Sequence, residues 1–149
     1  MFLKLLILIC LLITGCSIPE IVVLHDPLTA EEHLQLGLSY EKKGLFEEAK
    51  KHYKEASKSD ARGYLFLGNL YLNQGDYEKA EQYYRKAIQK NSNLSDAYNN
   101  LGWLYCLKNE KLEDAEKLVK KAIDIEKGNL DKIKIYEDTL EKIRKLKTK

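Results

Sequence analysis

Glycine and proline are scarce in this chain, eight and two among 149 residues. So few backbone breakers exclude a turn-rich all-β protein and weigh against disorder. Metal-ligand spacing is missing as well: no two of the three cysteines stand as a zinc site requires, and His25, His33 and His52 do not supply one. There is no glycine-rich phosphate loop and no G-x-S-x-G elbow. An excess of one charge is also absent. The formal net charge is +2, too weak a field to make nucleic acid the main partner. Carboxylates are plentiful, but they pair with lysines on helix surfaces, as Glu47 does with Lys51. Together these absences set aside catalytic, metal and cofactor chemistry, and the chain is expected not to be an enzyme. What is present is a 44% apolar and 32% charged chain with ten tyrosines, a balance that suits one soluble helical domain whose rings pack while their hydroxyls stay wet.

Only one long apolar run occurs. Residues 5–13 lack any polar side chain and follow Lys4. Nine residues are too few for a bilayer span, which takes about 20, but they suit the core of a secretory leader, about 7–15. The run ends on Ile13-Thr14-Gly15-Cys16, which resembles the lipobox of bacterial lipoproteins. That resemblance implies a leader over residues 1–15, cleavage before Cys16, and lipid on the Cys16 thiol. At roughly 0.8 kcal/mol per buried methylene, two or three acyl chains anchor the chain durably. An ordinary leader with a chance cysteine and an uncleaved anchor helix are the competing readings. With Cys10 removed and Cys16 alkylated, Cys106 is left as a lone, buried, inert thiol and no internal disulfide forms. Ser17 in place of aspartate resembles the signal for outer-membrane delivery where two membranes exist. Residues 16–28 read as a tether, since Pro19 and Pro27 forbid a continuous helix. The apolar Ile21-Val22-Val23-Leu24 stretch is expected to dock on the body or cover a groove.

The rest repeats. His33-x-x-Leu36-Gly37-x-x-Tyr40 aligns with Tyr64-x-x-Leu67-Gly68-x-x-Tyr71 and Tyr98-x-x-Leu101-Gly102-x-x-Tyr105. Each is followed by a second half: Gly44 then Ala49, Tyr53 and Ala56; Gly75 then Ala80, Tyr84 and Ala87; and Ala115, Val119 and Ala122. This pattern resembles the tetratricopeptide repeat. The resemblance implies an all-α fold: a right-handed α-solenoid of three helix pairs over residues 29–128, with a capping helix over 129–149. Helical spacing of the apolar positions agrees, and Thr29 to Glu32 reads as a capping box that starts the first helix at Ala30. Gly44 and Gly75 are expected as left-handed caps. Three departures stand out. The first two rings are 31 residues apart and the next two 34, a shortening reminiscent of Sel1-like repeats that should alter the local twist. Gly102 to Ala115 is one residue longer than its counterparts, with Asn109 near the expected turn glycine, so a looser turn is expected. The repeat's proline is missing throughout. Gly128-Asn129 reads as a helix stop. The cations Lys142, Arg144, Lys145, Lys147 and Lys149 are expected to complement a helix C-terminus; a patch for anionic lipid or an acidic partner is the alternative.

The resemblance also implies a concave face, built by the first helix of each repeat, that takes a peptide or partner helix. By register it comprises Leu34, Leu38 and Glu41; Arg62, Leu65, Asn69, Leu72 and Asn73; and Asp96, Asn99, Asn100, Trp103, Cys106 and Leu107. Asparagine amides there can pair with peptide backbone. Asn69 and Asn100 match two asparagines of the carboxylate-clamp class, but Leu65, Asp131 and Ile135 stand where its cations belong, so a C-terminal carboxylate is not the expected ligand. Occupation of the groove by the terminal helix, with Trp103 covered, or by the Ile21-Val22-Val23-Leu24 stretch remains open. The expected function is a lipid-anchored scaffold holding a peptide or helix of a cell-envelope protein. The alternative is a pilot that escorts a secretin, pilus or outer-membrane component. Weak self-association is a third possibility.

Overall fold

The computed structural model describes residues 27–148. The leader, Cys10, Cys16, His25, the Ile21-Val22-Val23-Leu24 stretch and Lys149 lie outside the described residues. Seven helices follow one another: α1 (Ala30–Lys42), α2 (Phe46–Ser57), α3 (Ala61–Asn73), α4 (Tyr77–Lys90), α5 (Ser95–Lys108), α6 (Leu112–Ile125) and α7 (Leu130–Lys147). There is no strand among the described residues, and no helix among them is long and apolar enough to cross a membrane.

Local chemistry sets the helix ends. Thr29 Oγ1 accepts from the Glu32 N–H at 3.2 Å while the Thr29 N–H donates to Glu32 Oε2 at 2.7 Å, a complete capping box. Asp60, Asp76 and Asn129 cap α3, α4 and α7 by accepting from backbone N–H groups. Asn129 thus opens a helix, whereas its sequence context read as a stop; the reversal itself is made at Gly128, at φ 120°. The three hairpin turns share one geometry. The carbonyls of Tyr40, Tyr71 and Tyr105 each accept from the N–H five residues on, and Gly44 and Gly75 take φ of 75° and 77°. Asn109 fills the same role at φ 52°, as its short polar side chain allows. The third turn is therefore as tight as the others, contrary to expectation. Its extra residue is absorbed one step later by Lys111, also left-handed at φ 49°.

Packing follows from side-chain size. A Cβ on Gly68 would lie 2.5 Å from Tyr84 Cε1, and one on Gly102 2.6 Å from Val119 Cγ2, so glycine is what lets each pair close. Tyr53 and Tyr84 are wholly buried between helices, while Tyr40 and Tyr71 are only half-buried and stack on His52 and Tyr83. The short first link is taken up by α2, which has 12 residues against the 14 of α4, and by one residue fewer before the next helix. Its end consequently presses on α3: a Cβ on Gly63 would meet the Tyr53 carbonyl oxygen at 2.6 Å.

Both ends of the stack are polar, as solenoid ends must be. Where α3 offers Gly63, Phe66, Leu67 and Leu70 to the preceding pair, α1 carries Glu32, Gln35, Leu36 and Ser39. At the other end α7 buries Tyr136, Thr139, Leu140 and Ile143. The Tyr136 hydroxyl donates to Asp96 Oδ1 at 2.6 Å, and Lys132 pairs with Asp96 and Glu126 at 2.8 and 3.2 Å. Part of the basic end of α7 is paired within the fold: Arg144 and Lys147 with Glu116 on α6, and Lys145 with Glu141, while the Lys142 ammonium lies over the Trp103 ring.

Candidate functional site

The helices α1, α3 and α5 lie side by side and present one face, which α7 extends. Counting from the ring positions His33, Tyr64 and Tyr98, the next residue in each helix was expected to line it. The structure corrects this. Leu34, Leu65 and Asn99 are 2, 6 and 8% exposed, because neighbouring helices close over that position. Cys106, 6% exposed, is likewise buried rather than a lining residue, and burial raises its thiol pKa. Asn99 Nδ2 donates to Asn100 Oδ1 at 3.3 Å, but its own Oδ1 is buried without a partner among the described residues.

The other candidates do reach the surface. Leu38, Arg62, Asn73 and Leu107 are exposed; Glu41, Asn69, Leu72, Asp96, Asn100 and Trp103 are half-buried. Several are already engaged. Arg62 pairs with Asp60 and Glu31 at 2.6 and 2.8 Å, and Asp96 holds Lys132 and Tyr136. The Glu41 carboxylate accepts from the Tyr53 hydroxyl at 2.7 Å, and burial together with that bond raises the phenol's pKa. Trp103 lies beneath the Lys142 ammonium, 4.9 Å from the ring, so the terminal helix touches it without burying it.

One hollow of about 410 Å³ opens between α1 and α3, lined by Leu38, Glu41, Lys42, Phe66, Asn69 and Asn73. Sequence reasoning proposed four of these and missed Lys42 and Phe66. Phe66 sits two residues beyond its ring and stacks on Tyr53 at 5.3 Å; extending the register count to that position in every repeat was the available signal. The amides of the face are oriented by the core. Asn69 Oδ1 accepts from the Tyr84 hydroxyl at 2.9 Å and from Asn100 Nδ2 at 2.8 Å. Burial raises the Tyr84 pKa, so this phenol stays protonated and donates. With both lone pairs of Oδ1 used, the Asn69 amide turns its N–H groups outward. The hollow can therefore seat an apolar side chain and donate hydrogen bonds to an acceptor beside it. Elsewhere, His33 and His52 face one another, Nδ1 to Nδ1, at 2.9 Å, and no group of three His, Cys, Asp or Glu among the described residues is placed to hold a metal.

Sequence profiles of the tetratricopeptide repeat match residues 33–61, 61–94 and 83–117. The chain is a tetratricopeptide-repeat protein. Solved structures agree on the fold of these repeats. The type III secretion translocator chaperone SycD of Yersinia enterocolitica is similar at a TM-score of 0.70 and 20% identity, over 79% of this chain and 93% of that one. The first repeat domain of Spaghetti (RPAP3), bound to an HSP90 peptide, gives 0.69 and 21% over 83% and 97%. The second repeat domain of human RPAP3, in complex with an HSP70 peptide, gives 0.64 and 25% over 77% and 94%. A search of curated proteins gives no match.

Proposed function

We propose that this tetratricopeptide-repeat protein is a lipid-anchored scaffold of the bacterial cell envelope that binds a peptide or helix of another envelope protein on its concave face. The reading is carried by the hollow between α1 and α3, where exposed Leu38 and half-buried Phe66 stand beside core-oriented amides. Similar repeat domains hold peptides, as the RPAP3 complexes do. The lipobox-like Ile13-Thr14-Gly15-Cys16 supports the anchor, on the outer membrane facing the periplasm where there are two membranes. A pilot role rests on the same anchor, with the likeness to the chaperone SycD as its support. Leu38→Asp combined with Asn73→Arg changes two exposed side chains and should abolish partner capture with the helical signal unchanged. Cys16→Ala should release the chain from the membrane fraction, and under piloting it should displace the partner too. Undiminished capture by the double variant would refute the groove.

A further inference from the structure

The two links between repeats end differently. The second carries Leu94, half-buried against the core, just before α5. The first is shorter and carries the charged Asp60 at the same place before α3. The last turn of α4 is therefore left facing a polar turn, and Lys90 Nζ reaches across it to donate to the Lys58 carbonyl at 2.8 Å. Two hollows share Lys90. One of about 330 Å³ is lined by Tyr64, Lys86, Gln89 and Lys90. The other, of about 580 Å³, is lined by Ala30, Ser59, Asp60, Ala61, Lys90 and Asn91. Both have the size of small-ligand sites, about 300–1,000 Å³.

The smaller hollow is cationic. Elsewhere on α4, Lys79 and Arg85 pair with Asp76 and Glu81, whereas Lys86 and Lys90 form no ion pair among the described residues. They stand one helical turn apart, a like-charge spacing that an anion between them would relieve. Lys90 keeps two N–H donors beyond the one given to Lys58. The larger hollow is polar and balanced. Asp60 accepts from the Arg62 backbone and guanidinium at 2.6–2.9 Å, which offsets its charge and leaves a lone pair on Oδ1. Asn91 Oδ1 accepts from the Asn93 N–H at 2.9 Å, so its amide NH₂ is left to donate. We infer that these joined hollows bind a phosphorylated polyol, its phosphate held by Lys86 and Lys90 and its hydroxyls by Ser59, Asp60 and Asn91. That chemistry is shared by a phospholipid headgroup and by a phosphate-bearing glycan. The site lies outside the concave face and does not depend on what the groove holds.

Lysine acylation of the full chain, read peptide by peptide by mass spectrometry in the presence of phosphatidylcholine vesicles, tests this. The probes are glycerol 3-phosphate, inorganic phosphate, and phosphatidylglycerol mixed into the vesicles. Glycerol 3-phosphate should shield Lys86 and Lys90 at a concentration at least about tenfold below that of inorganic phosphate, while exposed Lys121 on α6 keeps its rate. Lys86→Gln should weaken the shielding of Lys90, and Lys90→Gln that of Lys86. Ser59→Ala combined with Asn91→Ala should make the two soluble probes equal. Shielding by free glycerol 3-phosphate points to a soluble or glycan-borne source. Shielding of the same two lysines by phosphatidylglycerol alone points to the lipid headgroup, and either result supports the site. Equal shielding by both soluble probes in the unaltered chain, shielding that extends to Lys121, or none from any probe overturns it.

Discussion

Asn99 occupies the position that Leu34 and Leu65 fill in the earlier repeats, and it is as hidden as they are. Its Oδ1 has lost water and gained no donor among the described residues, a deficit that typically costs about 1–3 kcal/mol. Asn99→Leu should therefore raise stability by roughly 1 kcal/mol, read as a higher denaturant midpoint with an unchanged slope. A lower midpoint would mean that the amide makes a compensating interaction. This residue also shows where sequence reading stops. Its register was right, but whether that register faces solvent depends on how closely α5 and its neighbours approach, which no local pattern encodes. The same is true of Gly63, whose necessity comes from the backbone of α2 and not from its own helix.

At the level of elements, helix starts, turn glycines and the closing helix were legible because caps, left-handed glycines and apolar spacing are local chemistry. The third turn was not, since Asn109 can adopt the glycine conformation and passes the extra residue to Lys111. The attachment of α7 is partly electrostatic. Hydrogen bonds from Lys120 and Lys147 hold the Glu116 carboxyl at about 2, below its ordinary 4.5, and a bond from Ser95 lowers Glu126. A carboxylate whose pKa is depressed by folding stabilises above its ordinary value and loses that contribution as pH falls toward the folded one. Lys120 belongs to α6 itself, so only the share of that shift due to Lys147 holds α7, and docking of α7 should weaken as pH falls from about 4.5 toward 2. Trp103 is the sole tryptophan and lies under Lys142 of α7, so its emission reports the event. A red shift confined to that window is expected, with Glu116→Gln already shifted at neutral pH. Emission that is flat with acid, or equally sensitive in that variant, would count against the latch.

Over the whole molecule, the repeats stack around two buried clusters, one within the first hairpin and its neighbour and one through the rest, with Tyr64 packed against both, and the concave face is the surface they jointly make. The fold was readable because three copies of ring, Leu-Gly, tyrosine and paired alanines repeat in register. The face was readable only in part: Leu38, Asn69 and Asn73 line the hollow between α1 and α3 together with Phe66, which packs there against the preceding repeat, a relation between repeats and not within one.

The most direct measurement is site-specific photocrosslinking in intact cells, with a photoreactive amino acid at Leu38 or Ile135 on the concave face and at Lys54 on an outer helix. The account predicts a discrete protein adduct from the first two positions and none from Lys54. The same adducts from Lys54, or none from Leu38 and Ile135, would contradict it.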